Sequence, residues 1–342
     1  MVHPEMQTLY FNAPRKVSIG MQPTPKPGPH EVLVKVHCVG LCGTDLHIYQ
    51  GDHGRATFPM TPGHEWSGEI IQKGGLVTNF SVGDRVVGET TISCGRCKYC
   101  LQGHYNLCPS RAENGIFGKD GAASQYMIFP EHALHRFGSS LSFEQACLIE
   151  PSAVAYHAVD LIEVKPSDDL IVIGAGPIGL LSVAIAKIFG AKQITLVDMR
   201  EHRLEIGRQL GADHIINLTH DDYLDNVRKI TKNKLFSTAI EASGSRAAIE
   251  QILNVMAPAG RLCFLGSTTA TIDFRQIISK ELKLYGSLSS PGVWDTVVQL
   301  YESGKLCADE IITHRLKIQE FEEALQLMEN RDPSIIKAIV HL

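Results

Sequence analysis

The stretch DLIVIGAGPIGLLSVAIAKIFGAKQITLVD, residues 169–198, decides the fold. Asp169 to Ile173 is an apolar run of strand length, Pro177 to Gly190 has helical composition, and Gln193 to Val197 is a second apolar strand. Between the first strand and the helix lies Gly174-Ala-Gly176-Pro177-Ile178-Gly179, a G-x-G-x-x-G turn in a strand–turn–helix setting. Gly174 permits the tight turn, Gly176 lets backbone approach a pyrophosphate, and Gly179 lets helix pack on strand. The phosphates would sit on the free N–H groups of the helix N-terminus. Asp198 closes the second strand, nineteen residues past Gly179. A carboxylate there accepts from adenosine ribose hydroxyls and repels a 2′-phosphate, which points to NAD. Arg200 and Arg203 stand nearby and oppose that reading, because a guanidinium can accommodate the phosphate.

Working outward, Ser237 to Ile240 and Arg261 to Leu265 read as further strands separated by helical segments. Strands alternating with helices imply right-handed crossovers and a doubly wound parallel sheet. The expected nucleotide domain therefore spans 152–284. Upstream, VLVKVHCVG, HEWSGEIIQ and DRVVGE are short β-type runs punctuated by Gly and Pro, so residues 1–151 read as a separate β-rich domain. The prolines from Pro23 to Pro29 mark an extended connection. Beyond Tyr285, WDTVVQLYESGK and EFEEALQLMEN are helical, and Ala338 to His341 is an apolar strand that needs a sheet to join. Residues 285–342 are thus expected to return to the first domain.

With 342 residues the chain exceeds one ordinary core, which agrees with two domains. Its formal net charge of −5 gives no field to attract nucleic acid or an anionic membrane. The opening MVHPEMQTLYF lacks a basic stretch followed by an apolar run, and no apolar stretch reaches spanning length. Nine cysteines with no secretory signal suggest a reducing, cytoplasmic compartment and thiols used for metal. Cys38, Cys147, Cys263 and Cys307 read as buried small residues.

The other cysteines carry chemistry. Cys94-x2-Cys97-x2-Cys100-x7-Cys108 presents four thiolates from one lobe, residues 89–110, enough to close a tetrahedral structural zinc site. Cys108-Pro109 also matches the end of an iron–sulfur run, but there the last gap is three residues rather than seven. A nucleic-acid-binding zinc ribbon would need a basic stripe, and Arg96, Lys98 and His104 do not extend into one. Elsewhere in the β-rich half, Cys42-Gly-Thr44-Asp45-Leu-His47 and Gly63-His64-Glu65 bring thiol, imidazole and carboxylate together, a donor set suited to a catalytic zinc with an open position. Each residue alone reads more simply as core or surface.

Taken in order, Cys42-Gly-Thr-Asp, Gly63-His-Glu, the four-cysteine lobe, Gly174-x-Gly-x-x-Gly and Asp198 resemble the medium-chain zinc-dependent alcohol dehydrogenases, and the resemblance covers essentially the whole chain. It implies a GroES-like catalytic domain joined to a Rossmann-type domain, two Zn2+ per chain, and NAD. Leu148-Ile-Glu150-Pro151-Ser152 resembles the polyol (sorbitol-type) and threonine dehydrogenases, where Glu replaces a ligand cysteine. By that resemblance Cys42 and His64 bind the catalytic zinc, with Glu65 and Glu150 acting directly or through water. Thr44 and His47 match the family's proton relay; a purely structural hydrogen bond is the other reading of His47. Tyr49 and Trp66 line the pocket or pack in the core.

The implied reaction is hydride transfer from a secondary alcohol, a small molecule, to NAD. HIYQGDHG lacks the tryptophans often following that tyrosine in threonine dehydrogenases, which favours polyols, sugar acids or their phosphates. Gly286-Ser-Leu-Ser-Ser-Pro lacks the arginine usual in sorbitol dehydrogenase, which counts against sorbitol itself. L-threonine 3-dehydrogenase is the alternative activity. A catalytically inactive member acting as a binding protein is the alternative of another class, and it should have lost a ligand or Asp198. Relatives imply a homo-oligomer, tetramer or dimer.

Overall fold

A computed structural model describes residues 3–266 and 268–342. The chain divides into two compact units, Met1–Glu150 with Ser289–Gly304 and Ile312–Leu342, and Pro151–Leu288 with Lys305–Ile311.

The first unit is built on a seven-stranded sheet. Its order is Leu134–Arg136, Arg85–Gly88, Glu65–Lys73, Glu31–Gly40, Lys337–His341 and Ile312–Lys317, with Tyr126–Pro130 also pairing Glu31–Gly40. The last strand thus lies antiparallel on Glu31–Gly40, in the register Ile339↔Gly40. A hairpin, Glu5–Ala13 with Lys16–Pro23, precedes the prolines and was not legible as strands from its mixed composition. Alternation along Glu31–Gly40 sends Val32, Val34 and Val36 into one core with Trp66, Ile70 and Phe129. A second core gathers Leu9, Phe11, Ile48, Tyr49 and Phe321. Tyr49 and Trp66 are therefore core residues: Trp66 meets Phe129 edge-on at 5.1 Å, and the Tyr49 hydroxyl donates to Glu322 at 3.1 Å.

His135 pins the returning helix Trp294–Glu302 to this unit. Its Nδ1 lies 2.6 Å from Asp295, its Nε2 lies 3.0 Å from Glu89, and its ring stacks on Trp294 at 5.5 Å. Burial alone would lower its pKa, but the two carboxylates outweigh that and raise it. A raised histidine pKa contributes stability that is fully present below the unfolded value and is lost as pH rises through the folded one. His135→Gln is therefore expected to cost about 1–2 kcal/mol near pH 6, discounted because Asp295 is solvent-exposed, and less near pH 9. Urea midpoints at the two pH values check this; an equal gap at both would mean an uncharged imidazole.

The second unit is a six-stranded, wholly parallel sheet. Its order is His214–Asn217, Gln193–Asp198, Asp169–Ile173, Phe236–Glu241, Met256–Phe264 and Lys283–Gly286. In chain order that is 3-2-1-4-5-6, the doubly wound arrangement whose order reverses beside the first strand. Asp169–Ile173 is central and buried, which is why its sequence is apolar without alternation.

Cys38, Cys147 and Cys263 are buried as expected, whereas Cys307 is exposed. Its neighbours Leu306 and Ala308 take the buried positions instead.

Candidate catalytic and cofactor sites

One buried acid assembles the first site. The helix Gly43–Gln50 follows directly on the strand Glu31–Gly40, with Cys42 at its N-cap. Asp45 sits in its first turn with no solvent exposure. Asp45 Oδ2 accepts from the Cys42 backbone N–H at 2.9 Å, and its Oδ1 accepts from the Gly63 N–H at 3.3 Å. The same Oδ1 lies 3.7 Å from His64 Nδ1. A single carboxylate thus holds the helix start against the Gly63-His64-Glu65 strand entry. It is a positioning residue, quoted in the sequence motif but given no role there.

The consequence is convergence. Ligand atoms of Cys42, His64 and Glu65 all lie within 4.8 Å of one another. His64 is 4% exposed, and its Nδ1 is buried without a hydrogen-bond partner. Thiol, imidazole and carboxylate donors packed this closely fit a tetrahedral cation with an open position. Burial works against a charge on His64, but Asp45, Cys42 and Glu150 outweigh it and raise its pKa.

Glu65 has a partner that the sequence did not suggest. Lys337 Nζ donates to Glu65 Oε1 at 2.8 Å and Oε2 at 2.6 Å, and to the Leu41 carbonyl at 2.9 Å. Both side chains are essentially excluded from water, at 2% and 1% exposure. A desolvated pair of this kind persists because each charge, left alone, would cost several kcal/mol. The available signal was a single lysine inside the apolar run Ile335-Ile-Lys-Ala-Ile-Val. Glu150 is also buried, outside the 4.8 Å set, with its Oε1 accepting from Thr90 Oγ1 at 2.6 Å. Burial pushes its carboxyl up to about 7. Thr44 Oγ1 is 3.7 Å from Cys42 Sγ and half-buried, whereas His47, a turn later, is exposed.

The four lobe cysteines form a second group within 4.8 Å. Cys97 and Cys100 sulfurs are 3.4 Å apart, and Cys94 and Cys100 are 4.0 Å apart. The backbone N–H groups of Arg96 and Cys97 point at Cys94 and bring its thiol down to about 6, favouring the thiolate that metal requires. Four thiolates leave no open position, so the donor set suits a structural ion.

In the second unit the G-x-G-x-x-G turn adopts the geometry its sequence implied. Gly174 has φ +103°, where a side chain would also strike Ser243. A Cβ on Gly179 would lie 1.8 Å from the Gly174 carbonyl oxygen, so only glycine lets the helix Pro177–Ile188 start there. Gly176 is the helix N-cap, Pro177 and Ile178 follow, and space for a Cβ at Gly176 is open. Asp198 closes the turn: its Oδ2 accepts from Ala175 N–H at 2.7 Å, and its Oδ1 from Met199 and Arg200 N–H at 2.8 and 3.0 Å. Arg203 stands close enough to feel both Asp198 and Arg200, and burial pushes its pKa down to about 10. Glu241, unforeseen, ends the neighbouring strand fully buried and accepts from the N–H groups of Ser243 at 2.9 Å and Gly244 at 3.3 Å.

Comparison with known proteins bears on both sites. Residues 28–139 match the alcohol dehydrogenase GroES-like domain, and residues 177–303 match the zinc-binding dehydrogenase family. The chain is 33% identical over 327 residues to sorbitol dehydrogenase of Bacillus subtilis strain 168, covering 94% of this chain and 93% of that one. It is 38% identical over 316 residues to L-threonine 3-dehydrogenase of Pyrococcus horikoshii, covering 89% of each. Among solved structures, a zinc-binding dehydrogenase of Sinorhizobium meliloti 1021 bound to NADP superposes with TM-score 0.92 at 27% identity, over 99% of this chain and 100% of that one. One of Escherichia coli CFT073, described as a short chain alcohol dehydrogenase complexed with NADH, superposes with TM-score 0.93 at 28% identity, over 99% and 100%.

Proposed function

Because the chain belongs to the zinc-type medium-chain alcohol dehydrogenase family, we propose that it is an oxidoreductase moving hydride from a small secondary alcohol to a nicotinamide cofactor. The observation that carries this reading is the convergence of Cys42, His64 and Glu65 donor atoms within 4.8 Å of one another. Cys42 and His64 are the direct zinc ligands, completed by a carboxylate from Glu65 or Glu150; Cys94, Cys97, Cys100 and Cys108 hold the structural ion. Zinc in the first site supplies a Lewis acid that makes a substrate hydroxyl more acidic.

The protein's own residues do the rest. Asp45 fixes the ligand-bearing segments, and Lys337 holds the Glu65 carboxylate in place. Thr44, half-buried beside Cys42, takes up the hydroxyl proton, and His47, exposed at the next turn, returns it to solvent. Gly174, Gly176 and Gly179 shape the pyrophosphate cradle, with Pro177 and Ile178 opening the helix beneath it. Asp198 offers its remaining lone pairs to ribose hydroxyls and disfavours a 2′-phosphate, so NAD is the preferred cofactor, with Arg203 contributing at the adenosine end.

Within the substrate class, polyols, sugar acids and polyol phosphates are the first reading. L-threonine is the second, favoured by the 38% identity to a threonine dehydrogenase. The test is NADH formation by the zinc-loaded protein against all four, with NADP in parallel. Turnover of one class with NAD preferred is expected; silence across the panel with cofactor binding intact would overturn the reading in favour of an inactive homologue.

The assembly is proposed to be a homo-oligomer. The strand Lys283–Gly286 ends the parallel sheet with one open edge among the described residues. Phe274 and Ile278, one turn apart on the helix Phe274–Lys280, are 71% and 76% exposed. An open edge flanked by apolar side chains favours pairing with a second copy; a monomeric mass by light scattering would sink this. No described helix is long and apolar enough to cross a membrane, and the metal-type clustering of Cys94, Cys97, Cys100 and Cys108 favours a reducing, cytoplasmic compartment.

A further inference from the structure

Two segments of the first unit, each joined to an element that carries Cys42 or His64, meet where Arg55 stacks on Phe117. The first loop, residues 51–60, leaves the helix that begins at Cys42. The second is the turn between the short strands Ala112–Asn114 and Gly118–Lys119, and it is fastened to the strand entry of His64 because buried Asn114 donates its side-chain N–H to the Gly63 carbonyl at 3.2 Å. Across the junction the Arg55 guanidinium lies 3.5 Å from the centroid of the Phe117 ring. Arg111 approaches the same ring at 5.9 Å.

The two arginines differ in one decisive way. Arg111 donates to Glu113 at 2.8 Å and is thereby neutralised. Arg55 is exposed, and among the described residues no carboxylate lies within ion-pair distance of it. Stacking on an aromatic face holds a guanidinium in place while leaving its N–H edge available. His53 stands two residues before Arg55 in the same segment. It is close enough to His47, Arg55, His64 and Glu113 to feel each of them, and its buried Nδ1 has no hydrogen-bond partner. Burial lowers its pKa.

We infer that Arg55, seated on Phe117, recognises an oxyanion on the substrate, a carboxylate or a phosphate remote from the hydroxyl that is oxidised, with the imidazole of His53 as a second donor nearby. This inference rests on the dehydrogenase reading of the site and narrows its substrate to the charged members, sugar acids and polyol phosphates, over neutral polyols. The fork of guanidinium donors suits both oxyanions, so the experiment separates them.

Two measurements on the zinc-loaded protein test it. The first compares kcat/KM for neutral polyols with that for the matching aldonates and polyol phosphates, in the wild type and in Arg55→Gln and Arg55→Lys. The anionic-over-neutral ratio should exceed about tenfold for one oxyanion. It should fall about 10- to 100-fold in Arg55→Gln, through KM, and recover partly in Arg55→Lys. The second titrates inorganic phosphate and acetate calorimetrically into NAD-saturated protein, so that the pyrophosphate site is filled. One should bind saturably in the wild type and at least about tenfold more weakly in Arg55→Gln. Turnover with a ratio indifferent to Arg55, or equal heats in both proteins, overturns the inference. A silent panel with Arg55-dependent anion binding would instead overturn the dehydrogenase reading and leave the anion site standing.

Discussion

Cys42→Ser is expected to lower the zinc content from two ions to one per chain and to reduce kcat/KM by about a thousandfold or more. The thiolate is one of three close donors, and a serine hydroxyl is a far weaker zinc ligand at neutral pH. Loss of the ion removes several kcal/mol of Lewis-acid stabilisation, at about 1.4 kcal/mol per tenfold in rate. The fold should survive. Cys42 occupies the N-cap of Gly43–Gln50, where its backbone N–H donates to Asp45. Serine is itself a favoured N-cap. Metal analysis and steady-state kinetics on the same preparation decide the matter: two zinc ions with full turnover would sink the assignment, whereas a collapsed circular dichroism spectrum would show a structural role for the sulfur.

In the zinc-free protein Lys337→Met is expected to cost about 3–5 kcal/mol of stability, because it leaves the Glu65 carboxylate without its cation in a site 1% exposed. The methionine fills the lysine stem's volume, so the loss is electrostatic rather than a cavity. Partial rescue should follow from Glu65→Gln in the same chain, since removing both charges removes the desolvation cost that one leaves behind. A double-mutant cycle in urea measures it. A coupling below about 1 kcal/mol would mean that the pair is solvated, or that Glu65 has an alternative partner. Zinc content offers an independent readout: a Glu65 released from Lys337 is free to bind the ion more firmly, so Lys337→Met should retain zinc against chelator at least as long as the wild type.

The strongest parts of the sequence were local. The run from Asp169 to Asp198 specified strand, turn, helix and strand within thirty residues, because each element's signal is a short-range property: apolar strand, glycine turn, helical composition, acid at the next strand's end. The four lobe cysteines were equally legible, since one short loop supplies the complete donor set. Cys42 and His64 were weaker. Either alone is an ordinary small or polar residue, and only their order along the chain and the family resemblance joined them.

What the tertiary structure alone decided lies in long-range pairs. Lys337 and Glu65 are 272 positions apart, and nothing in either neighbourhood encodes the other. Their contact exists because the final strand lies antiparallel on Glu31–Gly40, whose other neighbour begins at Glu65. Asp45 acquired a role only when Gly63 came within 3.3 Å of it, and Arg55 only when Phe117 folded beneath its guanidinium. Tyr49 and Trp66 left the list of pocket candidates for the same reason, because burial depends on which strands become neighbours. The nucleotide turn, its flanking strands and helix, and the four-cysteine lobe were written in short-range spacing, whereas the hairpin Glu5–Ala13 with Lys16–Pro23 was not. The sheet register determined which charges face each other out of water, since strand order is fixed by packing of the whole unit and by no local run of residues.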